Sequence, residues 1–264
     1  MVQKNLNNAT KGLNSAIEKL TTGYKLNHAK DNPANYAMAK NIESKLSSWN
    51  VASENINIGN NLLETASSTS ELISQHIIRI RDLCEQACNG TYGENSKKAI
   101  REEIDARLDE ISRIRENTEF NDIKLFGEKN SNGEIIEKTI NLQVGIDGSE
   151  SSRITVNTTL YLDDLDYFKT CDVSDPANLD KLDKLFEEVM LYQTKIGSAQ
   201  NRLECALEYA EVVTNNLTSS LSTIKDADIA EVSSEFIKYQ ILQQACITLL
   251  STANQMPALA LQLL

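Results

Sequence analysis

Two long segments of this 264-residue chain repeat small or apolar residues with the seven-residue period of packed helices. From position 34 to position 89 the chain contains no proline and only one glycine, Gly59. A helix of this extent is roughly 80 Å long at a rise of 1.5 Å per residue, so it predicts a rod with other helices beside it. The two heptad positions of this segment are filled by Ile42, Trp49, Ile56, Leu63, Ser70, Ile77 and Cys84, and by Ala52, Gly59, Ala66, Ile73, Ile80 and Ala87.

The second segment keeps alternating steps of three and four residues over roughly 65 Å of helix. Its stripe is thin around Ala199, Ala206 and Ala210, which predicts a place where helices approach closely. The most economical arrangement is an antiparallel pair of rods within one chain. The stripe consists of Leu182, Leu185, Val189, Tyr192, Ile196, Ala199, Leu203, Ala206, Ala210, Val213, Leu217, Ser220 and Ile224.

A shorter amphipathic helix and a β-hairpin are predicted between the two rods. Ile100, Ile104, Leu108, Ile111 and Ile114 form the apolar face of the helix. The stretch TINLQVGIDGSESSRITVNTTLY alternates apolar and polar residues on both sides of DGSESS, as in a hairpin. The predicted fold class is therefore mainly α, with long antiparallel helical rods and one small β-hairpin.

The two ends of the chain predict helices that pack together and against further copies of the chain. Leu6, Leu13 and Leu20 repeat every seven residues near the start. The last segment is apolar on more than one side, which is normal for a helix buried on several sides. The candidate assembly residues are Leu6, Leu13, Leu20, Phe236, Ile241, Leu242, Leu249 and Leu250.

Composition and motifs argue against several classes of function. A formal net charge of −12 disfavours binding to nucleic acid or to an anionic membrane. No run of 18 apolar residues predicts a membrane span, and the start of the chain lacks the apolar block of a cleavable secretory signal. Five cysteines cannot all pair within one chain, and two isolated histidines form no zinc or catalytic pattern. We therefore expect no enzyme activity, metal, cofactor, nucleic acid or membrane partner.

Several motifs, in this order, resemble the bacterial flagellins. EKLTTGYKLNHAKDNPANYAMA is similar to the family's link between its terminal helix and its long helix. IRIRDLCEQACNGT and EEIDARLDEISRIRENTEFNDIKLF resemble the helices that follow. IGSAQNRLECALEYAEVVTNNL, STIKDADIAEVSSEF and QILQQACITLLSTANQMPALALQLL resemble the family's C-terminal signature.

The resemblance implies a short flagellin that has only the inner D0 and surrounding D1 domains. The N-terminal D0 helix would span 1–28, shortened relative to the family, and the N-terminal D1 helices 29–127. The hairpin and a variable connector would occupy 128–175, the C-terminal D1 helix 176–225 and the C-terminal D0 helix 226–264.

The implied function is a structural subunit that self-assembles into the extracellular flagellar filament for motility. Export would use the flagellar type III system, with an export chaperone on the C-terminal helix. Hook-associated and cap proteins would be further partners. Two alternatives remain open: a hook–filament junction protein, and a non-polymerising secreted coiled-coil tip or translocator protein.

The resemblance also implies a candidate epitope for the host innate immune receptor TLR5. The matching positions are Arg79, Leu83, Gln86, Glu103 and Arg107. We expect Leu83 to be exposed and ringed by the charged side chains, as in a binding hot spot. The alternative interpretation is that these charges solvate the rod and help to set the packing between subunits.

Overall fold

The computed structural model describes residues 2–129, 135–162 and 165–262. The helices are α1 (Val2–Thr22), α2 (Pro33–Cys88), α3 (Glu94–Asn117), α4 (Leu165–Phe168), α5 (Ala177–Lys225) and α6 (Ile229–Gln262). The strands are β1 (Glu119–Phe120), β2 (Ile123–Lys124), β3 (Glu128–Lys129), β4 (Ile135–Ile136), β5 (Thr139–Gln143) and β6 (Arg153–Asn157). The mainly helical fold class is confirmed.

The chain divides into two compact units. The first unit holds Met1–Ser47 and Val213–Leu264, and the second holds Ser48–Val212. Both long helices, α2 and α5, contribute residues to each unit. Among the described residues, no helix combines the length and the apolar character needed to cross a membrane. The assignment of residue ranges to D0 and D1 stays a prediction.

Local side-chain chemistry sets the end of α1 and the start of α2. Gly23, which follows α1, has φ = +75°, a left-handed conformation that glycine adopts without steric cost. Pro33 occupies the first turn of α2, where no amide donor is needed. The side-chain oxygen of Asn32 caps this helix by accepting the amide of Asn35 at 3.1 Å. Asp31 instead accepts the amides of Asn27 and His28 and so closes the preceding loop.

The second unit has a continuous apolar core built from the predicted stripes. On α2 the stripe is buried from Trp49 to Ala87, and on α5 from Leu182 to Leu203. The apolar face of α3 packs into the same core through Ile104, Leu108 and Ile111. Because three helices share this core, α2 buries residues on both sides of its central stripe.

The predicted hairpin is confirmed as the antiparallel pair of β5 and β6. Its register places Ile140 opposite Val156 and Leu142 opposite Ile154. Leu142 packs against the only glycine of the long predicted rod: a Cβ atom on Gly59 would lie 3.0 Å from Leu142 Cδ1. The other strands form two minimal antiparallel pairs, β1 with β2 and β3 with β4. Each of these strands has two residues, which is too short for an alternating pattern to be read from sequence.

Candidate assembly surface

Helices α1 and α6 pack against each other as an antiparallel pair within the first unit. The closest side chains on α1 are small: Ala9 and Ala16 are buried, whereas Leu6, Leu13 and Leu20 are half-buried. The leucines therefore flank the seam, and the alanines lie at its centre. This arrangement lets the two backbones approach closely.

The face of α6 that meets α1 alternates steps of four and three residues. Its members are buried or half-buried, and they are Val232, Phe236, Tyr239, Gln243, Cys246 and Leu250. Tyr239 lies over Gly12, where a Cβ atom would be 2.5 Å from the nearest ring carbon. Gln243 donates a hydrogen bond of 3.2 Å to the hydroxyl of Thr10. These two contacts fix the antiparallel register, because lower numbers on α1 meet higher numbers on α6.

The remaining candidate assembly residues of α6 lie outside this seam and are exposed. Ile241 is 63 % exposed, Leu249 57 % and Leu242 43 %. Ile237 and Ile247 add to the same solvent-exposed apolar surface. Single exposed aliphatic residues are ordinary on a monomer, but several on one helix mark an interaction surface. Of the predicted set, Phe236 and Leu250 belong to the α1–α6 seam, and Ile241, Leu242 and Leu249 lie outside it. We call these three, together with Ile237 and Ile247, the free face: the exposed apolar part of the α6 circumference that α1 leaves uncovered.

A cluster of charged and aromatic residues ties together the ends of α1, α2 and α5 within the first unit. Lys225 Nζ lies 2.6 Å from Glu43 Oε1 and 4.1 Å from the centre of the Tyr24 ring. Lys40 pairs with the other oxygen of Glu43 at 2.7 Å. The hydrogen bonds from Lys225, then from Lys40, lower the pKa of Glu43. We call Tyr24, Lys40, Glu43 and Lys225 the connector cluster.

Backbone pairing reinforces this connection. Tyr24 and Asp226 form an antiparallel bridge. The amide of Lys25 donates to the carbonyl of Lys225, and the amide of Ala227 donates to that of Gly23, at 2.8 and 2.9 Å. The chain segments after α1 and after α5 are thus held side by side. Sequence reasoning missed this cluster because its members lie up to about 200 positions apart, with no shared periodicity.

Three of the five predicted receptor-epitope residues come together in the second unit. Glu103 Oε1 lies 3.2 Å from Arg79 Nε and 3.1 Å from Arg107 Nη2. The hydrogen bonds from Arg107 and Arg79 lower the pKa of Glu103. Gln86 is half-buried two turns further along α2. The result is a partly exposed charged cluster that joins α2 to α3.

The expectation that Leu83 is exposed is wrong. Its side chain is only 2 % exposed and belongs to the core shared by α2, α3 and α5. The physical reason is that α3 covers the side of α2 next to the heptad stripe, where His76 also contacts Arg107. Leu83 therefore stabilises the helix packing under the charged cluster and offers no apolar surface there.

The five cysteine thiols are all free, and they differ in how far the protein buries them. Cys84 and Cys246 are buried, and burial raises the pKa of Cys84 to about 12. Cys205 is exposed on α5, while Cys88 and Cys171 are half-buried. In the described part of the chain, no three histidine, cysteine or acidic side chains are grouped so as to hold a metal ion.

Comparisons with known proteins match both ends of the chain to one family. The model of the bacterial flagellin N-terminal helical region matches residues 1–131, and that of the C-terminal helical region matches residues 179–264. A flagellin of Halalkalibacterium halodurans is 31% identical over 98% of this chain and 93% of its own length. A flagellin of Bacillus subtilis is 31% identical, over 94% of this chain and 91% of its own length.

The fold has a solved counterpart among the flagellar hook-associated proteins, from Vibrio parahaemolyticus. The TM-score is 0.61 at 16% identity, and the match covers 74% of this chain and 100% of that one. At this identity the likeness concerns the fold alone. The two family models and the near full-length relatives establish that the chain belongs to the bacterial flagellin family.

Proposed function

We propose that this chain is a structural subunit that self-assembles with other copies of itself into the flagellar filament. The observation that supports this most directly is the free aliphatic face of α6, formed by Ile237, Ile241, Leu242, Ile247 and Leu249. This face is exposed although α6 is already paired with α1. Complete burial of a fully exposed side chain of this kind is worth about 1.5–3 kcal/mol. These side chains are roughly half exposed, so contact with further copies gains roughly half of that for each.

Membership of the flagellin family supports the following setting for this function. The subunit acts outside the cell, in the filament, and has no enzyme activity. Export proceeds through the flagellar type III system, and a chaperone covers the apolar face of α6 before assembly. Hook-associated and cap proteins contact the two ends of the polymer.

Electron microscopy of the purified full-length protein tests the proposal. We expect long filaments from the wild-type chain and none from Ile241→Asp, because burial of a new carboxylate opposes contact with another copy. Leu72→Asp is the matched control, since Leu72 is an exposed leucine of α2 in the other unit. This control should still form filaments.

Other results would contradict the proposal in different ways. Short assemblies that stop growing would indicate a hook–filament junction protein. Stable monomers under assembly conditions would indicate a non-polymerising secreted coiled-coil protein. Equal loss of filaments with Ile241→Asp and Leu72→Asp would show that the free face of α6 has no special part in assembly.

We propose recognition by the receptor TLR5 as a second function of the charged cluster. The supporting observation is that Arg79, Glu103 and Arg107 form one cluster on the surface of α2 and α3. Arg79→Ala should weaken binding of the monomer to the receptor ectodomain, whereas Lys184→Ala, a change of an exposed lysine on α5, should not. Unchanged binding after Arg79→Ala would refute this role.

A further inference from the structure

A surface groove in the second unit has no role in the packing described so far. Its volume is about 740 Å³, within the usual range for ligand-binding pockets. One wall is the edge-to-face pair of Trp49 and Tyr209, whose ring centres lie 5.6 Å apart. The opposite wall is the turn of the hairpin, including Ile146. Tyr209 is 61 % exposed, so a large aromatic surface remains open to a partner.

The charge of the groove is opposite to that of the chain as a whole. Arg153 and Arg202 line it, against a formal net charge of −12 for the protein. The side chain of Arg202 has no hydrogen bond or ion pair to any other residue that the structure describes, and the side chain of Arg153 donates only to the side-chain oxygen of Gln143. The one carboxylate in the lining, Asp147, accepts hydrogen bonds from Ser149 and Ser152. These bonds lower its pKa, so it is held ionised within the turn.

A partner for this groove therefore needs an apolar knob next to a carboxylate. The outer face of α5 carries such a combination. Met190 and Leu191 are both exposed, and Leu191 is 59 % exposed. Among the described residues of the second unit, no other two consecutive residues are both large, apolar and exposed. Glu187, one helical turn before Leu191, is exposed and has no ion pair within the described residues. We call Glu187, Met190 and Leu191 the knob.

The knob and the groove of one chain cannot meet. Both involve the same stiff helix, on which 11 residues separate Leu191 from Arg202 and 14 separate it from Cys205. At 1.5 Å per residue these separations are roughly 17 and 21 Å. Contact therefore requires two chains, in which the knob of one copy enters the groove of the next. Such a head-to-tail contact uses two different surfaces and can extend indefinitely.

We propose that the groove lined by Trp49, Tyr209, Arg153 and Arg202 is a docking site for Glu187, Met190 and Leu191 of a second copy of this chain. The aliphatic side chains lie against the exposed ring of Tyr209, which Trp49 supports from beneath, and the carboxylate of Glu187 pairs with Arg202. This inference rests on the proposed function, because it assigns one contact of the filament.

Charge reversal and mixing provide the test. Arg202→Glu and Glu187→Arg each place like charges opposite one another, so each protein alone should need at least a tenfold higher concentration to elongate. An equal mixture of the two variants should form filaments again, since each knob then meets a groove of opposite charge. Both positions are exposed, so circular dichroism should show the wild-type helix content.

Glu204→Arg supplies the matched control for Glu187→Arg. Glu204 is also an exposed acid of α5, but it does not belong to the knob. This variant makes the same change of charge and leaves both the knob and the groove intact, so it should elongate alone at the wild-type concentration. A second measurement follows the contact directly: Leu191→Cys should form a reducible cross-link to Cys205 of another copy after mild oxidation.

The outcomes separate the inference from the proposed function. Wild-type filaments together with unimpaired Arg202→Glu and Glu187→Arg variants would overturn the inference alone. Impaired variants whose mixture stays impaired would also overturn it, because the two charges would then act in different contacts. Absence of wild-type filaments would overturn the proposed function and the inference with it. Restoration only in the Glu187→Arg and Arg202→Glu mixture would establish the contact.

Discussion

The two units of the molecule bury different kinds of side chain. The second unit has a core of large aliphatic and aromatic residues with almost no exposure, including Ile56, Leu63, Ile104 and Phe168. The α1–α6 pair in the first unit buries alanines at its seam and leaves Ile241 and Leu249 largely in solvent. The comparison shows that the second unit completes its core within one chain. We propose that the terminal helices complete theirs by association with other copies of the chain.

The largest effect on stability should come from the core of the second unit. Ile104→Ala should lower the free energy of unfolding of the monomer by about 2–5 kcal/mol, because it removes buried methyl groups and leaves a cavity. Urea denaturation followed by circular dichroism measures this loss. Ile58→Ala, a change of an exposed isoleucine on α2, should have almost no effect. Equal losses from both variants would contradict the idea of a self-sufficient core.

A smaller loss, confined to the terminal helices, is expected from Gly12→Val. The new side chain collides with the ring of Tyr239, and such overpacking costs about 1–3 kcal/mol. Amide hydrogen exchange should accelerate in α1 and α6 and stay unchanged in α3. The second substitution Tyr239→Ala removes the ring and should restore part of the protection. Faster exchange throughout the chain would argue against separate units.

A loss of about 1 kcal/mol is expected when the connector cluster is broken by Lys225→Met, since partly buried charge-assisted hydrogen bonds contribute on this scale. The pH dependence has a definite sign. The pKa of Glu43 is lowered in the folded protein, so its stabilisation is complete above the ordinary value near 4.5 and is lost as the pH falls through the folded value. Unfolding free energies measured from pH 7 to pH 3 should therefore converge for wild type and Lys225→Met. A constant difference across this range would refute the assignment.

The smallest effect on the monomer is expected from Ile241→Ala on the free face of α6. Removal of an exposed side chain should change the free energy of unfolding by no more than about 0.5 kcal/mol. The same substitution should raise the concentration needed for filament formation, which light scattering can measure. A clear loss of monomer stability would mean that Ile241 is already packed within one chain, and the contrast between the units would fail.

The sequence predicts the elements whose residues follow a regular period. The limits of α2 agree with Pro33 and Gly90, the start of α5 agrees with Pro176, and the hairpin agrees with its alternating pattern. The width of the buried stripe on α2 is not predicted, because the stripe becomes wider where α3 packs against it. The prediction that Leu83 is exposed is wrong for this reason. The period of the sequence alone does not show how many helices pack around a given turn of α2.

The surface features were the least accessible from sequence. The connector cluster and the Trp49–Tyr209 pair join residues more than 150 positions apart. Their side-chain types are common at exposed helix positions and follow no motif. Only the folded arrangement brings them together. By contrast, the apolar circumference of α6 could be read directly, since it depends on local composition.

The contact between Gly59 and Leu142 constrains how this protein can change over evolutionary time. A glycine in the middle of a helix costs about 1 kcal/mol relative to alanine, so substitution would ordinarily be favoured. At this position a Cβ atom would lie 3.0 Å from Leu142 Cδ1, so the end of the leucine side chain has to shift before alanine fits, and a larger residue needs more room. The two positions should therefore covary among descendants of this sequence: a large residue on the helix should occur together with a smaller one on the hairpin.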